Sequence, residues 1–370
     1  MKYFIIAGER SGDLHGGRIV DALRERDTQA SFEGWGGGRM AQAGVSLRKH
    51  YRDTATMGFQ EVLTKLNYFR KLIRECKQHI EAFQPDAVIF IDFGAFNLRV
   101  APFVKELQIP SYYFITPKVW AWNTRRAEKV KRLSDHRLVI LPFEADFFNA
   151  RNISATYVGN PLQERISQYQ PDPNFRTQQK LDDRPIMAIL PGSRVQEVKR
   201  ILPAVMMLVE QHPELQWVVS GVRNLPEELY APAKERNLPI VWEDSYGLMS
   251  HSHTAIVASG TATLETALFN VPQIVVYQAS AISAAVVRLV IKVPYVSLPN
   301  LIAGREIIPE LLQKDFNGER LQQEFAHLQT ENGRRGQLSG YAEIRETLGN
   351  LHTPTEVANY IQRTLPTQKK

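Results

Sequence analysis

The sequence predicts an α/β protein made of two successive domains, each built around a parallel β-sheet. Three observations support this fold class. Short apolar runs alternate with amphipathic helical patterns in both halves of the chain. A polar, turn-rich stretch at 168–184 interrupts this alternation near the middle. The chain, at 370 residues, is also longer than one hydrophobic core usually supports.

The first half of the chain contains four apolar runs that we predict to be strands. They lie at 4–7, 87–91, 111–115 and 137–141. Helical patterns occur between them, at 17–26 and 61–83. Strands that alternate with helices indicate βαβ units and therefore a parallel sheet. We expect this first domain to span residues 1–163.

The alternation restarts after the turn-rich stretch, which predicts a second domain of the same type at 164–352. Its predicted strands are 185–190, 216–220, 240–242, 255–258 and 273–277. An amphipathic pattern within 353–370 predicts a final helix. Two Rossmann-like domains of this kind enclose a cleft, and their ligands bind at the carboxyl ends of the strands.

The composition is that expected of a cytoplasmic globular protein. The single cysteine, Cys76, excludes an internal disulfide and fits a reducing compartment. The first residues read as a strand rather than a signal peptide. The nearest candidate for a membrane span, 279–296, is interrupted by Arg288 and Lys292. A net charge of +6 favours phosphate-rich partners, but no nucleic-acid motif accompanies it, so we expect no nucleic-acid partner.

A strand, a glycine turn and a helix follow one another at 186–196 in the second half. The turn is Pro191-Gly192-Ser193-Arg194. Backbone N–H groups at a helix start suit a diphosphate, and Ser193 and Arg194 add a hydroxyl and a charged guanidinium. The alternative is an ordinary βα turn with an N-capping serine.

A second turn of this kind follows the predicted strand at 255–258. Gly260 and Thr261 begin a helical pattern that contains Glu265 about one turn later. Small residues allow a ligand to approach the helix start, and the Glu265 carboxylate suits two ribose hydroxyls. A capping-box glutamate is the alternative.

Neither turn carries the fingerprint of a dinucleotide-binding or P-loop protein. The histidines show no metal-ligand spacing. We therefore expect no metal and no cofactor.

The first half has a glycine-rich segment at 8–17 that carries Glu9, Ser11 and Asp13. Carboxylates repel phosphates, so Glu9 and Asp13 fit better beside sugar hydroxyls. A second glycine-rich turn lies at 34–40. Tight βα packing is the alternative interpretation of both segments.

Asp92 ends the predicted strand at 87–91, where a side chain is expected to face the cleft. Nearby aromatic rings could raise its pKa by desolvation, which suits a general base. The alternative is an aspartate that caps the next helix. An aromatic segment at 113–122 includes Trp120, and Arg125 follows it. The aromatic side chains suit acyl chains and the arginine suits an anionic headgroup. The alternative is that the segment is a core plug, with its rings packed at the interface between the two domains.

The stretch 57–80 carries an apolar stripe flanked by cations. This pattern is typical of a helix at a membrane interface, and equally of a surface helix packed on a sheet.

Nine motifs occur in a fixed order along the chain. They are AGERSGD at 7–13, GGRM at 37–40, MGFQEVL at 57–63, ID at 91–92, PKVWAW at 117–122, LPFE at 141–144, LPGSRVQEV at 190–198, ASGTATLE at 258–265 and VSLPNLIAGRE at 296–306. Together they closely resemble the lipid-A-disaccharide synthase family. One departure is Gly94-Ala95, where family members usually have proline and another residue.

The resemblance implies a GT-B fold and an inverting glycosyl transfer. The donor is then UDP-2,3-diacylglucosamine, and the acceptor is 2,3-diacylglucosamine 1-phosphate (lipid X). The last helix is expected to pack back on the first domain. Lipids at the cytoplasmic face of the inner membrane are implied partners, and a homodimer is one form that some family members take.

The resemblance also assigns roles to residues. Asp92 matches the general base, and we group Glu9 with it as catalytic. The donor-side set is Ser193, Arg194, Gly260, Thr261, Glu265, Asn300 and Arg305. The acceptor-side set is Ser11, Asp13, Met57, Trp120 and Arg125.

Two alternatives remain open on sequence grounds. One is another GT-B enzyme, such as a UDP-N-acetylglucosamine epimerase or the peptidoglycan transferase, which would share the phosphate turns but use a different acceptor half. The other is a nucleotide- or RNA-binding protein without catalysis, suggested by the basic charge.

Overall fold

The chain forms two compact units in a computed structural model that describes residues 1–55, 62–122, 126–278 and 294–365. The side chains of 54–55, 62–66 and 122 lie outside that description. The first unit contains Met1–Pro161 and the described residues from Asn350 onward, and the second contains Leu162–Gly349.

The described part of the first unit is built on a seven-stranded parallel sheet in the order β3-β2-β1-β4-β5-β6-β7. The strands are β1 (Lys2–Ala7), β2 (Ser31–Gly36), β3 (Ser46–His50), β4 (Ala87–Ile91), β5 (Ser111–Phe114), β6 (His136–Val139) and β7 (Thr156–Tyr157). The central strand β4 is buried along its whole length. Such a continuous apolar strand is expected where helices cover both faces of a parallel sheet.

Helices cover the two faces of this sheet. They are α1 (Arg10–Arg24), α2 (Gly38–Gln42), α3 (Tyr51–Ala55), α4 (Val62–Phe83), α5 (Gly94–Glu106), α6 (Val119–Trp122), α7 (Arg126–Leu133) and α8 (Pro142–Asn149). On one face Ile5 and Ile89 pack with α1 residues such as Ile19. On the other face Phe4 and Phe90 pack with residues of α4 and α5.

The described part of the second unit has a six-stranded parallel sheet in the order β10-β9-β8-β11-β12-β13. Its strands are β8 (Ile186–Leu190), β9 (Gln216–Gly221), β10 (Ile240–Trp242), β11 (Thr254–Ala258), β12 (Gln273–Tyr277) and β13 (Glu310–Leu312). Its helices are α9 (Pro161–Ser167), α10 (Phe175–Gln178), α11 (Val195–Gln211), α12 (Ala231–Lys234), α13 (Ser245–His251), α14 (Thr261–Leu268), α15 (Leu298–Ala303), α16 (Gly318–Gln329) and α17 (Glu331–Leu348).

The last described helix, α18 (Thr353–Thr364), belongs to the first unit. Val357 and Ile361 are fully buried in the cluster beneath β1, β4 and β5. The Arg26 guanidinium donates a 2.8 Å hydrogen bond to the side chain of Asn359. The hydroxyls of Tyr112 and Thr364 lie 3.1 Å apart. Apolar burial and these polar contacts together hold the helix against the sheet.

Two local expectations differ from the structure. The glycine-rich segment 8–17 is mostly helix, because α1 begins at Arg10 rather than near Gly17. A Cβ on Gly16 would lie 2.7 Å from the Met40 sulfur, so glycine there permits close packing of α1 against α2. The second predicted glycine turn, 34–40, is the end of β2 followed by the start of α2.

In the part of the chain that the structure describes, no helix combines the length and the apolar character that a membrane span requires.

Candidate functional site

The first sheet reverses its strand order between β1 and β4, which pair side by side with Ala7 opposite Ile91. The chain leaves these two strands in opposite directions, and this opens a crevice at their carboxyl ends. Glu9 follows β1 at the N-cap of α1, and Asp92 follows β4. Both side chains are exposed. The fold therefore brings the two predicted catalytic carboxylates to the same edge of the first sheet.

The backbone around Asp92 adopts an uncommon conformation. The φ angles of Asp92 and Phe93 are +46° and +49°. Aspartate tolerates this left-handed region, whereas phenylalanine seldom adopts it, and such strain costs on the order of 1–3 kcal/mol. Strain of this kind persists only where neighbouring groups hold it.

Three hydrogen bonds hold the Asp92 backbone. Its N–H donates to the Phe114 carbonyl at 3.0 Å. Its carbonyl accepts from the Tyr113 hydroxyl at 2.9 Å and from the Asn97 side-chain amide at 2.7 Å. Contacts from β5 and α5 thus fix the direction in which the Asp92 carboxylate leaves the sheet.

The Asp92 carboxylate is exposed at its surface, yet it has lost part of its water shell. This desolvation raises the pKa of Asp92 above its ordinary value, while the charge of Lys118 and the N–H of Phe93 act in the opposite direction. A carboxylate with a raised pKa is a better proton acceptor than an ordinary aspartate. Such a carboxylate is suited to general-base chemistry on a hydroxyl.

Asp13 has a different environment from the one that the sequence suggests. Its side chain is only 5% exposed. It accepts hydrogen bonds from the backbone N–H groups of Gly37, Arg39 and Met40 at 2.7, 3.0 and 3.0 Å. Both oxygens are therefore engaged in anchoring the start of α2 rather than facing sugar hydroxyls. Ser11, by contrast, is exposed on the first turn of α1.

Trp120 is buried within the first unit and 7% exposed. Its indole N–H donates to the Glu144 carboxylate at 2.9 Å, and its ring meets that of Phe143 edge-on at 4.9 Å. Glu144 also caps α8 through the N–H of Leu141. This packing corresponds to the core-plug alternative. Met57 and Arg125 lie outside the described residues.

The described part of the apolar stripe on α4 packs against the sheet. Ile80 is fully buried in the core, and Phe69 and Ile73 pack against the same cluster. This is the packed alternative for the helix. Phe59 lies outside the described residues, as do the side chains of Leu63 and Leu66.

The second sheet reverses its strand order between β8 and β11, where Leu190 lies opposite Val257. The turns at Gly192 and Gly260 follow these two strands. The two predicted phosphate turns therefore lie side by side at the crevice of the second sheet, where α/β proteins bind nucleotides.

Glu197 occupies the N–H groups that the sequence suggests for a phosphate in the first of these turns. Its carboxylate accepts from the N–H of Ser193 at 3.1 Å and from that of Arg194 at 3.3 Å. It also lies 3.4 Å from the Arg194 guanidinium. The sequence analysis did not assign this capping role, although the third helical position is where a capping box places a glutamate. The Ser193 hydroxyl and the Arg194 side chain, 79% exposed, remain for an anion.

The second turn leaves its helix start open. Gly260 is the N-cap of α14 and has no side chain to cap it. Within the part of the chain that the structure describes, a Cβ at Gly260 would meet nothing within 4 Å, so no described residue fills the space beside this backbone. Thr261 is exposed next to it. The N-terminus of α14, which carries the partial positive charge of the helix dipole, is therefore accessible at this crevice.

Glu265 lies one turn into α14 and is partly buried. Burial raises the pKa of its carboxyl group, and a hydrogen bond from Tyr246 and the charge of Arg165 lower it. The Tyr246 hydroxyl donates to Oε1 at 2.9 Å. Tyr246 was not among the predicted site residues, because it comes from α13 and no local spacing links it to Glu265.

Asn300 and Arg305 are already paired within the second unit. The fully buried Asn300 amide accepts from the N–H groups of Ile307 and Ile308 and donates to the Glu310 carboxylate. It thus shapes the loop between α15 and β13 instead of facing solvent. Arg305, on that loop, pairs with Glu343 of α17 at 2.6 Å.

The fold agrees with solved structures of nucleotide-sugar enzymes. The S. aureus MnaA structure with UDP matches with a TM-score of 0.65 at 16% identity, and covers 100% of this chain and 98% of that one. The UDP-GlcNAc 2-epimerase of Neisseria meningitidis, bound to UDP-GlcNAc, matches with a TM-score of 0.58 at 15% identity over 99% of both chains. At such low identity the matches establish the fold alone. They confirm the predicted GT-B architecture of two parallel sheets.

Sequence relatives are much more specific. The lipid-A-disaccharide synthase of Myxococcus xanthus is 38% identical over 99% of this chain and 98% of its own length. Lipid-A-disaccharide synthase 1 of Legionella pneumophila is 32% identical over 98% and 97%. A family model described as lipid-A-disaccharide synthetase matches residues 3–355. With the model matched over almost the whole sequence and the relatives aligned along nearly their full lengths, this chain belongs to the lipid-A-disaccharide synthetase family.

Proposed function

We propose that this chain is an inverting glycosyltransferase that makes the lipid A disaccharide. It transfers 2,3-diacylglucosamine from UDP-2,3-diacylglucosamine to the 6-hydroxyl of 2,3-diacylglucosamine 1-phosphate. The products are the β-1,6-linked disaccharide 1-phosphate and UDP. Besides family membership, the observation that carries the proposal is the exposed Asp92 carboxylate, with its raised pKa, at the crevice of the first sheet.

Asp92 acts as the general base in this reaction. A sugar hydroxyl is a weak nucleophile, and proton transfer to a positioned carboxylate makes attack on the anomeric carbon feasible. The bond from that carbon to the UDP oxygen breaks as the bond to the acceptor oxygen forms. The acceptor proton ends on Asp92 and the electron pair of the broken bond on UDP. Glu9, which stays grouped with Asp92 as catalytic, and Ser11, an acceptor-side residue, are both exposed after β1.

The second unit holds the donor and stabilises the leaving diphosphate. The exposed Arg194 guanidinium supplies positive charge, and the open start of α14 at Gly260 and Thr261 supplies backbone N–H groups. Glu265 accepts hydrogen bonds from the ribose hydroxyls. Asn300 acts indirectly, by holding the loop that carries Arg305.

The lipid substrates support contact with the cytoplasmic face of the inner membrane. Arg70, Lys71 and Arg74 on α4 are exposed and suit anionic headgroups. Met57 and Arg125 stay predicted acceptor-side residues, whereas the buried Trp120, bonded to Glu144, supports the acceptor side only from within the first unit. A homodimer stays a predicted form of the chain.

The direct test is release of UDP from UDP-2,3-diacylglucosamine with the acylated monosaccharide phosphate, followed by mass analysis of the lipid product. We expect a disaccharide 1-phosphate, unchanged yield with a metal chelator, and no product from an unacylated acceptor. An epimerase would instead convert UDP-N-acetylglucosamine without any acceptor. That outcome, or absence of the disaccharide, would refute the proposal.

A further inference from the structure

We propose that Tyr246 is a positioning residue for the donor ribose: its hydroxyl fixes the Glu265 carboxylate so that the second oxygen faces the two ribose hydroxyls. The inference rests on the proposed function, because it takes Glu265 as the ribose acceptor. It goes beyond that function by naming the group that orients Glu265.

The geometry between the two side chains is that of a directed hydrogen bond. The Tyr246 hydroxyl lies 2.9 Å from Glu265 Oε1. Among the described residues, no other hydrogen-bond donor reaches the Glu265 carboxylate. An ionised carboxylate has about four acceptor sites and donates nothing. With one oxygen held by the phenol, Oε2 is left to accept from a vicinal diol.

Tyr246 is itself held rigidly. Its side chain is 9% exposed. Its ring meets Phe269 edge-on at 5.2 Å and Tyr169 at 5.7 Å. The Arg165 guanidinium lies 4.6 Å from the ring centroid, within cation–π distance. A hydroxyl on a ring with so few alternative positions can hold a carboxylate at a constant angle.

The same contacts favour the charged form of Glu265. Burial alone would shift this carboxyl toward its neutral form, which would turn one oxygen into a donor. The Tyr246 hydrogen bond and the Arg165 charge oppose that shift. The hydrogen bond from Tyr246 therefore holds one oxygen of the ribose acceptor in place and partly offsets the effect of burial, which still leaves the pKa of Glu265 raised.

The experiment compares the binding of UDP and 2′-deoxy-UDP by calorimetry. The wild-type protein should bind UDP more tightly, because the deoxy compound leaves part of the carboxylate without a partner. Tyr246→Phe removes one hydroxyl and keeps the ring. We expect it to weaken UDP binding by roughly ten- to a hundredfold, the effect of one hydrogen bond to a charged group. Binding of 2′-deoxy-UDP, which keeps only the 3′-hydroxyl for Glu265, should weaken less.

Tyr169→Phe is the matched control, because Tyr169 packs on the same ring while its hydroxyl bonds to Ser250. It should keep the wild-type preference for UDP. In turnover assays Tyr246→Phe should raise the donor KM and leave kcat nearly constant, because the ribose is bound equally in the ground and transition states. Arg165→Gln, which keeps the phenol, should lower the ribose preference less.

Glu265→Gln separates this inference from the function on which it rests. If Glu265→Gln keeps the full preference for UDP, Glu265 does not contact the ribose. The ribose-binding role of Glu265 and the positioning role of Tyr246 then both fail. If Glu265→Gln loses the preference but Tyr246→Phe keeps it, only the positioning role is overturned. Equal weakening of both nucleotides by Tyr246→Phe would mean a general structural role and would also overturn it.

Discussion

The phenol of Tyr113 donates a 2.9 Å hydrogen bond to the backbone carbonyl of Asp92. The donor lies on β5 and the acceptor at the end of the neighbouring strand β4. This hydrogen bond fixes the peptide that joins Asp92 to Phe93, and both of these residues have positive φ. Together with the hydrogen bonds from Asn97 and to Phe114, it holds the unusual backbone from which the Asp92 side chain projects.

Asp92→Asn should abolish most turnover and leave UDP binding close to normal. The amide keeps the shape of the side chain but cannot accept the proton, and loss of a general base costs about 10²–10⁴-fold in rate. Initial rates of UDP release and calorimetry with UDP measure the two effects. The surface variant Asp146→Asn, on α8, should match wild type in both. Near-normal turnover in Asp92→Asn would reject Asp92 as the base.

The pH dependence of kcat should report the Asp92 environment. The base works only when deprotonated, so activity falls as pH drops through its pKa. Since desolvation raises the pKa of Asp92, this acid limb should lie above the ordinary aspartate range near 3.9. The Lys118 charge lowers the same pKa, so Lys118→Gln should move the limb to higher pH.

Lys105→Gln is the control for that profile, because Lys105 lies in the last turn of α5, at the end away from Asp92. Its acid limb should coincide with that of wild type. If Lys118→Gln also leaves the acid limb where it is in the wild-type protein, the titrating group is not Asp92.

The sequence predicted the fold class and the central strands because these strands carry a strong physical signal. The runs at β4 and β11 are uninterrupted and apolar, as burial on both faces requires, and both are fully buried. The strands β2, β3 and β13 were not predicted. β2 reads SFEGWG, β3 reads SLRKH and β13 has three residues, so none shows an apolar run or a clear alternation.

The sequence predicts site residues that directly follow a strand. It does not predict contacts between side chains that belong to different helices or strands. Asp92 and the two glycine turns follow buried strands, so topology alone places them at the sheet crevices. Tyr246 and Tyr113 lie 19 and 21 residues from the groups that they contact. No spacing rule links such pairs. The sequence suggests that Asp13 binds sugar hydroxyls, because it is a charged residue in a glycine-rich segment. In the structure its partners are backbone N–H groups.

Gly192→Ala should destabilise the second unit and weaken UDP binding. Gly192 has a φ of +101°, and a Cβ there would collide with the Glu197 carboxylate that caps the turn. Such backbone strain costs about 1–3 kcal/mol. Gly336→Ala, within α17, is the matched control, because its Cβ would meet nothing within 4 Å. It should stabilise by about 0.5–1 kcal/mol. Urea denaturation measures both, and equal effects would contradict the assigned strain.

Asp13→Ala should lower the free energy of unfolding by about 3 kcal/mol, because it leaves three backbone N–H groups near α2 without their acceptor. Asp21→Ala is the control on the same helix. Asp21 pairs with Arg39 at the surface, where an ion pair contributes at most about 1 kcal/mol. Comparable losses in the two variants, measured by urea denaturation, would mean that Asp13 does not anchor α2.

Arg194→Ala should lower kcat on the order of 100-fold, equivalent to roughly 3 kcal/mol of barrier, if the guanidinium stabilises the leaving diphosphate. The turn itself should survive, because Glu197 is bound to the backbone N–H groups of Ser193 and Arg194, which the substitution keeps. The loss then reports charge rather than a displaced loop. Arg194→Lys should recover only part of the rate, since an ammonium is a point charge without the planar fork. Lys199→Ala, exposed one turn further along α11, should match wild type. Single-turnover rates measure the chemical step, and a normal rate in Arg194→Ala would place the stabilising charge elsewhere.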